Sequence, residues 1–132
     1  MKTEPSTYSW DDLVTDKITC WDGVRNYQAR NMMRAMKKGD LVFVYHSVKQ
    51  TSIKGIAKVV KEAYPDSTAL KGDWSMVDIQ AVKPVGKEIA LQQIKKDPFL
   101  QEMTLVTHSR LSVQPVTKEQ WERCLVVSET KI

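Results

Sequence analysis

The sequence predicts a small mixed α/β domain built around a curved or barrel-like, mostly antiparallel sheet of about five strands with about three helices. Three observations predict it. The chain has 132 residues and no repeat, linker or low-complexity tract, a length that suits a single core. Apolar residues recur at spacing two in several stretches and at helical spacing in others. The strand-like stretches mostly follow one another directly, which favours hairpin neighbours over a doubly wound sheet.

Taken in order, Asp11 and Asp12 stand beside Trp10 at a helix start, where capping accounts for the paired carboxylates. Residues 26–38 form the clearest helix: Ala29, Met32, Met33 and Met36 fall at i, i+3, i+4 and i+7, one apolar stripe that reads as core. Asn26 is placed to cap its start, and Gly39 to supply a left-handed exit. Leu41–Ser47 is apolar on both faces and reads as a central strand. From Ile53 to about Tyr64, Ile53, Gly55, Ala57 and Val59 alternate with Lys54 and Lys58, a strand with one wet face. Gly55 marks a bulge or a close approach of backbone. Trp74–Pro84 is a further strand, Leu91–Lys95 a short helix that must stop before Pro98, and Ser109–Val116 a short strand. Thr117 and Gln120 make a capping box that opens a last helix burying Trp121, Cys124 and Leu125.

Composition narrows the function classes. With 42% hydrophobic residues and a net charge of only +4, the chain is too apolar and too weakly charged for disorder. No run approaches the ~18 apolar residues of a membrane helix. The opening MKTEPSTYSWDD holds acids and a proline where a secretory signal needs an apolar stretch, so a cytoplasmic location is expected, or a nuclear one in a eukaryote. Cys20 and Cys124 lie far apart and read as reduced thiols. The five glycines never cluster into a phosphate-binding loop, and no metal or nucleophile-elbow motif occurs. No cofactor, metal or membrane partner is expected.

The segment WDGVRNYQARN, Trp21–Asn31, is the most unusual. Trp21 and Tyr27 carry π-faces on which a base stacks, and Asn26 and Asn31 carry the donor–acceptor pair that reads a base edge. The bland reading of the same residues makes Trp21 core, Asn26 only a cap and the arginines a solvated face. Arg30, Arg34, Lys37 and Lys38 fall at i, i+4, i+7 and i+8, a basic stripe suited to phosphates. With Arg25 they are five positive residues in fourteen with no acid among them, so the rest of the chain is close to neutral. His46 and Ser47 end the buried strand, and His108, Ser109 and Arg110 precede another; polar groups at a strand end commonly line a pocket.

These segments resemble the EVE domain, a small PUA-like family related to the PUA, ASCH and YTH domains. The similar runs are MKTEPSTYSWDDL (1–13), WDGVRNYQARNMMRAMKKGD (21–40), VYHS (44–47), GIAKVVKEAYPD (55–66), the strand with Trp74, Val77 and Asp78, and SRLSVQPVTKEQW (109–121). They span nearly the whole chain in the family's order. The resemblance implies a curved or closed β-barrel of five or more strands flanked by helices. Met1 stands at an internal position of the family's first motif, so a short first strand is expected.

The resemblance further implies a nucleic-acid partner and recognition of a modified base, without catalysis. Its motifs place Lys2, Thr3, Glu4, Trp21, Arg25, Asn26, Tyr27, Asn31, His46, Ser47, Ser109, Arg110 and Leu111 at the pocket. Of these, Lys2 and Arg25 are expected on phosphate with Arg30, Arg34, Lys37 and Lys38, giving a salt-dependence slope of about −3 on a duplex. Two competing readings remain at this point. One is an enzyme acting on a nucleotide or RNA base with His46 and Glu4 as acid and base; the other is a protein-interaction module with an exposed apolar patch.

Overall fold

The computed structural model describes residues 1–48, 50–108 and 110–131. Among them lie five strands and five helices: β1 (Lys2–Thr3), α1 (Trp10–Asp16), β2 (Ile18–Trp21), α2 (Tyr27–Ala35), β3 (Leu41–His46), β4 (Ser52–Pro65), β5 (Ser75–Ala90), α3 (Leu91–Lys96), α4 (Thr104–Thr107) and α5 (Lys118–Val127). All five strands join one sheet in the order β1-β3-β4-β5-β2. Every pairing is antiparallel except β1 with β3, where Lys2 lies opposite Tyr45 and Thr3 opposite His46. The mixed α/β class and the short first strand agree with the sequence reading. Among the described residues no ladder joins β1 to β2, so the pairing is that of an open sheet rather than a closed barrel.

The sheet is buried on both faces because β3 alternates two apolar sets. Val42 and Val44 meet Leu13, Ala29 and Met33 of α1 and α2, while Phe43 and Tyr45 meet Ile94, Leu105 and Cys124 of α3, α4 and α5. The β4–β5 hairpin shifts register at four places, and each bulge bends the strand and adds twist.

Caps explain most helix limits. Ser9 and Asp12 form a reciprocal capping box at α1, and Thr117 and Gln120 form another at α5. At α2 the Asn26 Oδ1 accepts from the Ala29 N–H at 2.9 Å. That helix ends at Ala35, short of Lys38, because side-chain acceptors capture the next backbone donors: Asp40 takes the Lys37 N–H at 2.9 Å and Glu62 the Lys38 N–H at 3.2 Å. Five helices replace the roughly three expected: α1 follows the helix start read beside Trp10, and the single turn of α4 carries too few apolar positions to register as periodic.

Two strand limits also differ. Ser109–Val116 is not a strand among its described residues. Leu111 and Val113 are buried as alternation suggests, but the Gln114 side chain donates to the Leu111 carbonyl and Pro115 has no N–H for a ladder. Only the Ser112 carbonyl meets a strand, accepting from the Lys2 N–H at 2.8 Å. Conversely, β5 runs past Pro84 to Ala90, where Gly86 and Lys87 donate to Thr130 Oγ1 and the Ser128 carbonyl. The strand β2, four residues long, alternates exposed Ile18 and Cys20 with half-buried Thr19 and buried Trp21, and is not among the strands expected.

Gly55 is a close approach. A Cβ built there would lie 2.3 Å from Cζ2 of the buried Trp10, so the indole of α1 rests directly on β4 backbone. Gly55→Ala is expected to lower stability by about 3 kcal/mol, the upper range for forced overpacking, read as a fall in the urea midpoint at unchanged slope.

Candidate nucleic-acid interface

A cavity of about 660 Å³ opens where the two outermost strands come together: Lys2 and Thr3 of β1 line one side, and Thr19, Cys20 and Trp21 of β2 the other. Glu4, Tyr8, Asp22, Arg25 and Ser112 complete most of its wall. Trp21 is only 8% exposed, so its ring belongs to the core on one side and to the cavity wall on the other. Tyr8 meets it edge-on, with ring centroids 6.3 Å apart and planes at 87°. The two rings make an aromatic corner in a wall that is otherwise mostly polar. Thr3 is fixed by its hydroxyl, which donates to the Tyr8 carbonyl at 2.6 Å, and Tyr8 by its own hydroxyl, which donates to Asp16 at 2.7 Å. Partial burial lowers the pKa of the Lys2 ammonium, which lies 5.9 Å from the Tyr45 ring centroid.

The loop after Trp21 is held by one carboxylate. Asp66, with its side chain fully shielded from solvent, accepts from the Gly23 N–H and the Arg25 guanidinium, both at 2.9 Å. It also accepts from the Thr68 N–H at 2.8 Å and the Thr68 hydroxyl at 2.6 Å. Burial alone would raise the Asp66 pKa; the Thr68 hydroxyl, Arg25 and the two backbone donors outweigh it and hold the carboxyl well below the usual range. Gly23 turns at φ +76°, a left-handed conformation that costs glycine nothing.

Other residues singled out from sequence lie elsewhere. Asn26, Arg110 and Leu111 line a second, smaller cavity of about 290 Å³ with Gln28 and His108, and Ser109 lies outside the described residues. Asn31 accepts from Arg30 at 3.0 and 3.2 Å. His46 accepts the Trp10 N–H on Nε2 at 2.9 Å, and burial, then Lys54, lowers its pKa. It does not line the cavity that holds Glu4. Ser47 sits behind β1, its N–H donating to the Thr3 carbonyl at 2.9 Å. Tyr27, 67% exposed, stacks on Trp74.

The basic stripe is not continuous. Arg34 pairs with Asp73 at 2.7 Å and Arg30 donates to the Asp73 carbonyl at 3.1 Å, while exposed Lys37 and Lys38 lie beyond the helix end. The sequence did not single out Tyr8, Thr19, Asp22, Ser112 or Asp66. Thr19 carries a readable signal, since period-two alternation in β2 places it on the face of Trp21. Among the described residues no group of three or more His, Cys, Asp or Glu side chains could hold a metal ion, and no helix is long and apolar enough to cross a membrane.

The EVE domain model matches residues 1–126. The chain belongs to the EVE domain family. Thymocyte nuclear protein 1 of Mus musculus is 41% identical to this EVE domain over 165 residues, a match covering 99% of the chain and 73% of that protein. A crystal structure of an Agrobacterium tumefaciens protein superposes with a TM-score of 0.94 at 43% identity, covering 98% of this chain and 90% of that one. A crystal structure of human THYN1 in complex with 5-methylcytosine-containing DNA superposes at 0.91 and 38% identity, covering 100% of this EVE domain and 97% of the human chain.

Proposed function

We propose that this EVE domain binds nucleic acid and holds a modified base, 5-methylcytosine or a base of similar shape, in the cavity between β1 and β2. The observation that carries the reading is the aromatic corner of Trp21 and Tyr8 inside a polar cavity of about 660 Å³, within the roughly 300–1,000 Å³ of small-molecule sites. A planar ring stacked on either side chain meets the other edge-on, a geometry aromatic rings favour. The carboxylates of Glu4 and Asp22 line the same wall and suit the exocyclic amine of a cytosine, which offers hydrogens to an acceptor. Lys2 and Arg25 at the cavity suit the flanking phosphates. The human relative crystallised with methylcytosine DNA supports the same partner.

The fold favours this use. β1 and β2, the two ends of the open sheet, line opposite sides of one cavity, and Ser112, whose carbonyl accepts from the Lys2 N–H, lines it with them. His46 is committed to Trp10, so no acid–base pair with Glu4 is assembled in the cavity.

Titration of DNA oligonucleotides carrying cytosine or 5-methylcytosine tests the proposal. Tighter binding to the methylated strand is expected, by about fourfold if only the methyl is newly buried, since one buried carbon is worth ~0.8 kcal/mol. With Lys2 and Arg25 as the phosphate contacts at the cavity and Arg34 already paired with Asp73, log K on a duplex is expected to fall with log salt at a slope of about −2 rather than −3. Equal, undetectable binding of both oligonucleotides at low salt overturns the reading.

A further inference from the structure

Next to the cavity lies an aromatic and arginine cluster that base recognition in the cavity does not use. Tyr27, at the first position of α2, and Trp74, just ahead of β5, stack with centroids 5.0 Å apart and planes at 21°. The Arg30 guanidinium carbon is 5.0 Å from the Tyr27 centroid and 5.8 Å from that of Trp74. The Arg25 guanidinium carbon is 5.6 Å from the Trp74 centroid, and Arg25 also lines the cavity. The cluster and the cavity therefore share a side chain.

The loop is shaped to present this surface. Gly72 turns at φ +96°, and a Cβ there would lie 2.7 Å from the Trp74 Nε1, so the indole folds over the glycine toward α2. Arg30 and Arg34 both donate to the Asp73 carbonyl, which ties the loop to the helix. Core packing does not require the tyrosine, because 67% of Tyr27 stays exposed. A stacked pair of rings between two guanidinium groups, with Tyr27 exposed and Trp74 half-buried, is the composition of a surface that holds unpaired bases and their phosphates.

We infer that Tyr27 and Trp74 form a second platform, which receives the nucleotide adjacent to the base in the cavity, with Arg25 bridging the two on the intervening phosphate. The inference rests on the proposed base recognition and extends it to two consecutive nucleotides. A base inside an intact duplex is stacked on its own neighbours and cannot spread onto the platform. The preferred partner is therefore a single strand, or a duplex already opened at the modified base.

The test compares wild type, Tyr27→Ala and Tyr27→Phe against two probes: a single-stranded DNA oligonucleotide with one 5-methylcytosine, and 5-methyldeoxycytidine monophosphate. Tyr27→Ala is expected to weaken oligonucleotide binding about tenfold, within the range of one lost base stack. Tyr27→Phe, which keeps the π-face, should bind as wild type, and all three proteins should bind the mononucleotide equally. Their urea midpoints should coincide, given the exposure of Tyr27. Unchanged oligonucleotide affinity in Tyr27→Ala, or a wild type that binds the oligonucleotide no tighter than the mononucleotide, overturns the platform and leaves the cavity reading standing. A wild type that binds neither probe overturns both.

Discussion

Trp21→Ala is expected to weaken binding of a methylated oligonucleotide by roughly 5- to 150-fold and to destabilise the domain by about 3–5 kcal/mol, the usual cost of truncating a buried tryptophan. Both effects follow from one position. The ring is only 8% exposed and packs with Val24, Val77 and Leu111 in the core beneath α1 and α2, yet it also walls the cavity. Loss of a base stack is worth roughly 1–3 kcal/mol. Trp21→Phe separates the two roles, since a smaller ring refills part of the core and retains a π-face. The phenylalanine variant should recover most of the urea midpoint while binding several-fold more weakly than wild type. A folded Trp21→Ala protein with wild-type affinity would remove Trp21 from the site.

Asp66→Asn carries the second large effect. The carboxylate gathers two backbone donors, a hydroxyl and a guanidinium, and the substitution keeps the shape while removing the charge. Hydrogen bonds to a charged group contribute ~1.5–3 kcal/mol each, but Arg25 is 38% exposed and turns to water when its partner is neutralised. A net loss of about 2 kcal/mol is expected, with weaker oligonucleotide binding as Gly23 and Arg25 lose their anchor. The pH dependence has a definite sign. A carboxyl whose folded pKa is depressed contributes stability that is fully present above its unfolded value, about 4, and lost as pH falls below it. Wild type should therefore lose its advantage over Asp66→Asn as urea midpoints are followed from pH 6 down to pH 2. A constant difference across that range would contradict the assignment.

What could be read in advance was what is encoded locally. The Asn26 cap, the Thr117–Gln120 box, the doubly apolar β3 and the steric role of Gly55 each depend on residues close in sequence or on one residue's chemistry. The stop of α2 at Ala35 depends partly on Glu62, 24 positions away, so the local pattern overran it. Among the described residues of 109–116, Leu111 and Val113 alternate into the core as in a strand, while the Ser112 carbonyl alone accepts from one, at the Lys2 N–H. At the site, the motif residues Lys2, Thr3, Glu4, Trp21 and Arg25 line one cavity. Motif resemblance could not give Asp66, whose role arises only when β4 delivers it to Gly23 across 43 positions. For the same reason the arginines that looked like an open phosphate stripe are partly neutralised by Asp66 and Asp73.

The seam between β1 and β2 has a consequence for folding. These strands are the two ends of the sheet, separated in its order by β3, β4 and β5. The cavity exists only after every intervening pairing is in place, so no fragment of the chain carries a partial site. Occupancy is thereby linked to the integrity of the entire sheet: a ligand at a hundred times its Kd would add about 2.7 kcal/mol to global unfolding. A substitution far from the cavity is therefore expected to weaken recognition to the extent that it loosens any strand between the two edges.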